Sequence, residues 1–317
     1  MALRARRPPL ILEEDSPDRA ERRCNCEDPG PPVSGSTVEG STARRASRSF
    51  LPVRLVRSLY QHRDLIRQLA HRDIANRYKG SFLGVFWAVV TPLIMLGVYA
   101  FVFSVIFGAR WGLPHESKLD FALTLFAGLL VFNVFADTIG RASTLVTGNP
   151  SYVKRVVFPL EILPVVALYA AMIQGAFSLV ILLLAWLGVH HTVSTTIWLF
   201  PVVLVPLCFL ALGSSWILAS LGVFIRDIQH PVAILVQVLV FMSGIFFPLT
   251  ALPYNYAWIL LHVNPLVPII EDARRTLIWG RMPDWKMWAF TTITSFVLML
   301  FGYWWFMRSR KAFADVV

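Results

Sequence analysis

Long apolar stretches dominate this sequence from residue 82 onward. Several contain about 18 residues or more, the length that an α-helix needs to cross a hydrocarbon core of roughly 30 Å. Of the 317 residues, 56% are hydrophobic and 15% are charged, and the mean hydropathy is +0.61. An average soluble domain is much less apolar, so the sequence predicts an all-α polytopic membrane protein.

The apolar stretches predict six transmembrane helices within a domain of residues 82–311. Their expected ranges are 82–107, 121–136, 162–187, 197–225, 232–250 and 288–307. Pro92 lacks a backbone donor and predicts a kink in the first span. Residues 257–270 are apolar but too short to cross the membrane, and prolines interrupt them. We expect re-entrant gate helices there, with a plain surface loop as the alternative.

Positive charge is concentrated at the start of the chain, where 16 of the 29 Lys and Arg residues precede residue 80. Cytoplasmic loops are enriched in these residues, so both termini are expected in the cytoplasm. Residues 1–50 lack periodicity and predict a disordered cytoplasmic tail, and residues 312–317 form a short C-terminal tail. The net charge of +10 therefore indicates a membrane surface and anionic lipids rather than nucleic acid.

Residues 51–81 combine apolar residues at near-helical spacing with many cations. This pattern favours an amphipathic helix lying in the cytoplasmic interface, and an ordinary solvated helix is the alternative. The residues expected at this surface are Arg67, Arg72, Arg77, Tyr78 and Lys79.

Sequence signatures of enzymes are missing. There is no Gly-x-x-x-x-Gly-Lys-Ser/Thr phosphate-binding loop, so the chain does not hydrolyse ATP by that route. Cys24, Cys26 and Cys208 form no ligand set, and no metal site is expected. Few ionisable residues lie inside the spans. Asp137 and Arg141 are spaced for a helical i,i+4 ion pair, whereas Glu161 and Asp227 lie near span ends, within reach of water. The energy for any transport therefore comes from outside this chain.

Aromatic residues are the candidates for a transport path. Tyr99, Phe103 and Phe107 follow one another at i, i+4 and i+8, which would give one stripe on the first span. Aromatic faces stack on sugar rings, although packing against neighbouring helices explains the same pattern. The full set of candidate channel residues is Phe82, Phe86, Trp87, Tyr99, Phe103, Phe107, Gln237, Phe241, Phe246 and Phe247.

The cytoplasmic loop 148–164 reads GNPSYVKRVVFPLEILP. Its short apolar and cationic turns, bounded by prolines, are typical of a segment that docks in a groove of a soluble partner, with a membrane-surface helix as the alternative. The residues expected to couple to that partner are Pro150, Tyr152, Val153, Lys154, Arg155, Val156 and Phe158.

Four segments together resemble one family. Residues 72–103 read RDIANRYKGSFLGVFWAVVTPLIMLGVYAFVF, and they resemble the entry to the first span of type 2 ABC exporter permeases for O-antigen, related polysaccharides or teichoic acid polymers. The later segments FPLEILP at 158–164, FIRDIQH at 224–230 and NPLVPIIEDARRTLIWGRMP at 264–283 are similar to that family's coupling segment, inner loop and outer gate.

The resemblance implies a homodimer of permeases in a bacterial cytoplasmic membrane, joined to two ABC ATPase subunits that bind ATP and Mg²⁺. No cofactor is implied for this chain itself. The segment 150–158 would insert into the ATPase, the first and fifth spans would line the channel, and the cargo would be a lipid-linked glycan. Asn264, Pro265, Arg274 and Arg275 would belong to the outer gate.

Two other functions stay open at this stage. An exporter of a drug or small lipid would have the same fold and the same partner. A polytopic membrane glycosyl- or acyltransferase would need carboxylates or histidines clustered at one membrane face. The outer candidates for such a cluster are His262, Glu271, Asp272 and Asp284.

Overall fold

A computed structural model of the protein describes residues 51–79, 84–106, 118–149, 158–192 and 194–313, and these are helical with connecting turns. The predicted tail of residues 1–50 lies outside the described residues. Four described helices are long and apolar enough to cross a membrane: Leu119–Ala142, Leu160–His190, Thr195–Phe224 and Trp285–Ser309. They correspond to the second, third, fourth and sixth predicted spans.

Two helices open the described chain where a single interfacial helix was predicted. Helix α1 covers Leu51–Gln61 and α2 covers Arg63–Tyr78, with His62 between them. Ile66 and Ala70 of α2 are buried against Ile162 and Val166. The apolar face of α2 is therefore covered by protein, at the start of the helix that corresponds to the third span.

The predicted first and fifth spans are formed by shorter helices. Helix α3 covers Trp87–Tyr99 and contains Pro92, and a π-helical segment, Ala100–Ile106, continues it. Helix α4 then covers Lys118–Ala142, α5 Leu163–His190, α6 Phe200–Phe224 and α7 Gln229–Met242.

The expected end of the fifth span at residue 250 is wrong. Helix α7 stops at Met242, and the chain turns through Gly244, whose φ of +65° suits glycine. The residues of this turn are apolar, so hydropathy alone does not separate them from the helix.

Helix α8 covers Tyr254–Val263 and α9 covers Leu266–Leu277, in the region where gate helices were expected. Asn264 opens α9, because its Oδ1 accepts a hydrogen bond from the Leu266 N–H at 3.1 Å. Gly280 follows the helix with a φ of +62°. Helix α10 then covers Trp285–Ser309 and is capped by the Asp284 side chain.

Helix α4 is the most enclosed of the four long helices. Glycines allow close approach between the helices packed around it. A Cβ atom added to Gly213 of α6 would lie 2.7 Å from the Met299 backbone nitrogen of α10. Such close approach through small residues is the usual way in which membrane helices pack.

Candidate functional site

Four charged side chains join α2 to the C-terminal end of α4. Arg77 contacts Asp137 at 2.9 Å and Asp73 at 3.5 Å, and Arg141 contacts Asp73 at 2.7 Å and Asp137 at 3.2 Å. The predicted i,i+4 pair of Asp137 and Arg141 is confirmed. Arg141 also donates to the Ala167 carbonyl of α5 at 3.3 Å. This charged ring has two positive and two negative members, and it links α2 to α4 and α5.

The other predicted interface residues of α2 are arranged differently. Arg67, Arg72 and Lys79 are exposed, whereas Arg77 belongs to the charged ring. The side chain of Tyr78 lies outside the described residues. The exposed cations of this region are therefore Arg63, Arg67, Arg72 and Arg77 on α2 and Lys79 directly after it.

Glu161 is largely buried, although its position near a span end led us to expect it within reach of water. Its side chain is 9% exposed and pairs with Arg310 at 2.9 Å, and Ser58 donates to its second oxygen at 3.2 Å. The Trp216 indole donates to its backbone carbonyl at 3.1 Å. Asp227, by contrast, is exposed as predicted. Glu161 thus connects α1, α6 and the C-terminal end of α10.

The Glu161 contacts lie directly beside the predicted coupling segment. Arg310 also donates to the Phe158 carbonyl at 3.0 Å, and the Phe158 side chain packs against the hydrophobic core. The remaining predicted coupling residues, Pro150, Tyr152, Val153, Lys154, Arg155 and Val156, lie outside the described residues. The described end of this segment is therefore held by the C-terminal end of the last helix.

Three predicted channel aromatics meet near the far end of α3. Phe103 contacts Phe121 with ring centroids 5.8 Å apart and stacks on Phe246 at 5.7 Å, and Phe246 contacts Phe241 at 5.4 Å. Phe103 and Phe246 are half-buried, while Phe241 is 61% exposed. Phe103 therefore packs against neighbouring aromatic side chains.

Tyr99 and Phe103 of the predicted stripe are both half-buried against the core but have different surroundings, and Phe107 lies outside the described residues. The π-helical segment begins directly after Tyr99, and Tyr99 lines a cavity beside α4 and α5. The other candidates are dispersed: Phe86, Trp87 and Gln237 are exposed, Phe247 is half-buried in the turn after α7, and Phe82 and Phe107 lie outside the described residues.

Arg274 and Arg275 were both expected in the outer gate, but their environments differ. Arg274 is fully buried. Its guanidinium donates to the carbonyl oxygens of Thr124 at 3.2 Å, Gly244 at 3.0 Å and Ile245 at 2.8 Å. Arg275 is only half-buried. Arg274 therefore holds the turn after α7 against α4 rather than facing an open path.

Two further residues stabilise the position of Arg274 and of the turn after α7, and neither of their contacts was predicted from the sequence. Gly128 lies under the guanidinium, and a Cβ atom there would be 2.7 Å from Arg274 Nη2. Asn264, predicted as an outer-gate residue, donates to the Met242 carbonyl at 3.1 Å and to Ser243 Oγ at 3.3 Å. Carbonyls at a helix end need such partners. No local pattern in the sequence marks either contact.

The four residues considered for a membrane enzyme are each engaged in the local structure. Asp272 accepts a hydrogen bond from the Asp284 N–H at 2.9 Å, and Glu271 lies 3.6 Å from Arg274. His262 stacks on Trp258. Burial raises the pKa of Asp272 to about 6, while the Asp284 N–H and the charge of Arg275 act in the opposite direction. These contacts give the four residues structural explanations.

Comparison with known proteins adds independent information. The family model described as "ABC-2 type transporter" matches residues 64–278. The chain is 28% identical over 266 residues to the O-antigen export system permease protein RfbA of Myxococcus xanthus, covering 84% of this chain and the whole of that protein.

Two further relatives have similar coverage. An RfbA of Klebsiella pneumoniae is 25% identical over 80% of this chain and 95% of its own. The polysialic acid transport protein KpsM of Escherichia coli is 26% identical over 73% of this chain and 90% of its own. Because the family model covers well over half of the sequence, this chain belongs to the ABC-2 type transporter family.

Proposed function

We propose that this chain is the transmembrane permease subunit of an ABC exporter that moves a lipid-linked polysaccharide, such as an O-antigen, across the bacterial cytoplasmic membrane. The observation that carries the proposal is the family match, together with near full-length similarity to relatives named for O-antigen export and polysialic acid transport. Because the sequence has no phosphate-binding loop, a separate ATPase supplies the energy, with ATP and Mg²⁺ bound by that partner.

The working assembly is a homodimer of this chain with two ABC ATPase subunits. Apolar residues exposed on α3, its π-helical extension and α7, including Leu93, Phe101 and Ile234, support a second copy or lipid at this surface. We assign α3 with its π-helical extension, and α7 with the turn after it, as the first and fifth of six spans. Both termini are cytoplasmic, and α8 and α9 form a re-entrant gate at the outer side.

In the proposed mechanism, ATP binding in the partner moves the coupling segment 150–158 and α2. The charged ring carries the displacement of α2 to α4. The contacts of Glu161 with Arg310 and Ser58 carry that of the coupling segment to α1 and α10. Such transmission requires that ATP or cargo bind more tightly to one arrangement of the helices than to another.

The function is tested by co-purification and ATP turnover. The tagged full-length chain should copurify an ABC ATPase, and lipid-linked glycans should stimulate ATP hydrolysis by the complex in proteoliposomes. Stimulation of ATP hydrolysis by small amphiphiles but not by glycans would contradict the proposal that the cargo is a glycan. A chain that copurifies no ATPase would contradict the assignment as a permease subunit.

The coupling segment has its own test. Replacing Lys154 and Arg155 by alanine, or truncating Tyr152 and Phe158, should leave ATP hydrolysis by the complex but abolish its link to glycan export. Wild-type export by these variants would remove the segment from the mechanism.

A further inference from the structure

A cavity of about 330 Å³ lies between α3, α4 and α5, and Arg77 of α2 is one of its lining residues. Its size is within the range of about 300–1,000 Å³ that is typical of small-ligand sites. Much of its wall is apolar, with Pro92, Phe126 and Leu129 among the lining residues. Into this wall are set five uncharged polar side chains from three helices: Thr91, Tyr99, Asn133, Gln174 and Ser178.

Asn133 is the most unusual of these residues. Every other residue of α4 from Asp120 to Phe135 is buried, whereas Asn133 is exposed. It follows the apolar run of residues 125–132 and lies one helical turn, about 6 Å, before Asp137. Its amide has no hydrogen-bond partner among the residues that the structure describes. An unpaired amide at this depth is costly in hydrocarbon, so it needs a polar occupant.

Gln174 and Ser178 complete the polar wall on α5. The Gln174 amide donates to the Ala88 carbonyl of α3 at 3.1 Å, and Ser178 donates to the Gln174 carbonyl at 3.4 Å. The Gln174 contact connects α3 to α5 across the cavity. Asn133 is therefore the better residue to test for ligand binding, since a change at Gln174 would also alter helix packing.

The charged residues in the lining limit the chemistry of the occupant. Arg77 and Asp137 both line the cavity, but they belong to the charged ring, in which two arginines balance two aspartates. No surplus charge is left for an anionic phosphate or a cationic amine. The remaining groups are amides and hydroxyls, which both donate and accept hydrogen bonds. An uncharged, hydroxyl-rich group matches them best.

We propose that this cavity binds an uncharged sugar headgroup carried by a lipid, with Asn133 as its principal hydrogen-bonding residue. Tyr99 offers the sugar an aromatic face, and Met95, also in the lining, offers apolar contact. The inference deepens the proposed function and rests on it for the role of a lipid-linked sugar. Binding itself is measurable without transport.

The test uses the full-length protein in phosphatidylcholine nanodiscs and a photoactivatable glucosyl-diacylglycerol. Unlabelled glucosyl-diacylglycerol should compete with this probe, whereas phosphatidylglycerol and plain diacylglycerol should not. Asn133→Leu should reduce labelling about five- to tenfold, the effect of losing one or two hydrogen bonds in an apolar site. Asn133→Gln should restore part of it.

Thr294→Leu is the matched control, since Thr294 is an exposed polar residue of α10 outside the cavity lining. It should label as the wild type does. Asn133→Leu should also unfold at the wild-type temperature or higher, because it removes an unpaired amide. Equal competition by phosphatidylglycerol, or wild-type labelling of Asn133→Leu, would overturn the proposal and leave water as the occupant.

ATP distinguishes the two sources of the sugar. In a complex with the ATPase, turnover should lower labelling if the sugar belongs to the cargo, and should leave labelling unchanged if it belongs to a resident glycolipid. Both results support the site. If no ATPase copurifies, the proposed function fails while the labelling result stands. If Asn133→Leu labels normally while glycan export continues, the inference fails alone.

Discussion

Replacing Arg274 by methionine should destabilise the protein through the turn that follows α7. The guanidinium is fully buried and donates to the carbonyl oxygens of Gly244 and Ile245, at 3.0 and 2.8 Å. Methionine retains an unbranched apolar stem but donates no hydrogen bond. A buried acceptor that loses its partner costs about 1–3 kcal/mol, so two of them cost about 2–6 kcal/mol.

Thermal unfolding of the purified protein measures this loss. With an unfolding entropy of about 2.1 cal/mol/K per residue, a change of 1 kcal/mol shifts the midpoint of a 317-residue chain by about 1.5 °C, so a drop of at least about 3 °C is expected. Arg274→Lys should be intermediate, because an ammonium group lacks the fork that reaches separate carbonyls. The matched control is Arg275→Met, at the half-buried neighbouring position, which should change stability by about 0.5 kcal/mol or less.

Two results would refute this reasoning. Equal melting of the Arg274→Met and Arg275→Met variants would mean that the carbonyl contacts contribute nothing specific. A midpoint above that of the wild type would mean that the cost of burying the charge exceeds the value of its hydrogen bonds, as occurs for some buried ion pairs.

Three further predictions concern contacts between helices. Glu161→Gln should lower thermal stability by about 1–3 kcal/mol, and a double-mutant cycle with Arg310→Met should be non-additive; strict additivity would show that the pair is not coupled. Arg77→Asp should increase hydrogen exchange in α2, and adding Asp137→Arg should restore protection by returning the ring to two charges of each sign; no rescue would contradict the ring. Gly222→Ala should abolish the monodisperse peak in size-exclusion chromatography, because its Cβ would overlap a backbone carbonyl just after α4. A monodisperse peak like that of the wild type would show that α6 can shift.

The long helices were predictable because hydropathy is a local property. Residues 121–136, 162–187, 197–225 and 288–307 were each expected to span. Longer apolar helices cover three of these ranges, and the helix at 197–225 ends one residue early, at Phe224. The fifth prediction extended beyond Met242 because the turn after α7 is as apolar as the helix before it. What ends this helix is a set of contacts with Asn264 and Arg274, which are more than 20 residues away.

The candidate site shows the same division. Asp137 and Arg141 are four residues apart, so helical spacing predicted their ion pair. Their partners Asp73 and Arg77 come from a separate helix and were not predicted as partners. Glu161 was expected near water because of its position at a span end. Ser58 and Arg310, each more than 100 residues away, cover it instead.

Composition and local spacing were enough to predict the long apolar helices and the basic start of the chain, and to show that the sequence contains no phosphate-binding loop. Long-range packing set the remaining features: Arg274 is buried while Arg275 is only half-buried, Phe103 packs against Phe246, and Asn133 lines a cavity. In a membrane, lipid tails are as apolar as the protein interior, so the hydrophobic effect does not favour packing an apolar side chain against protein over lipid. Hydrophobicity therefore predicts which segments are helices but not which faces meet.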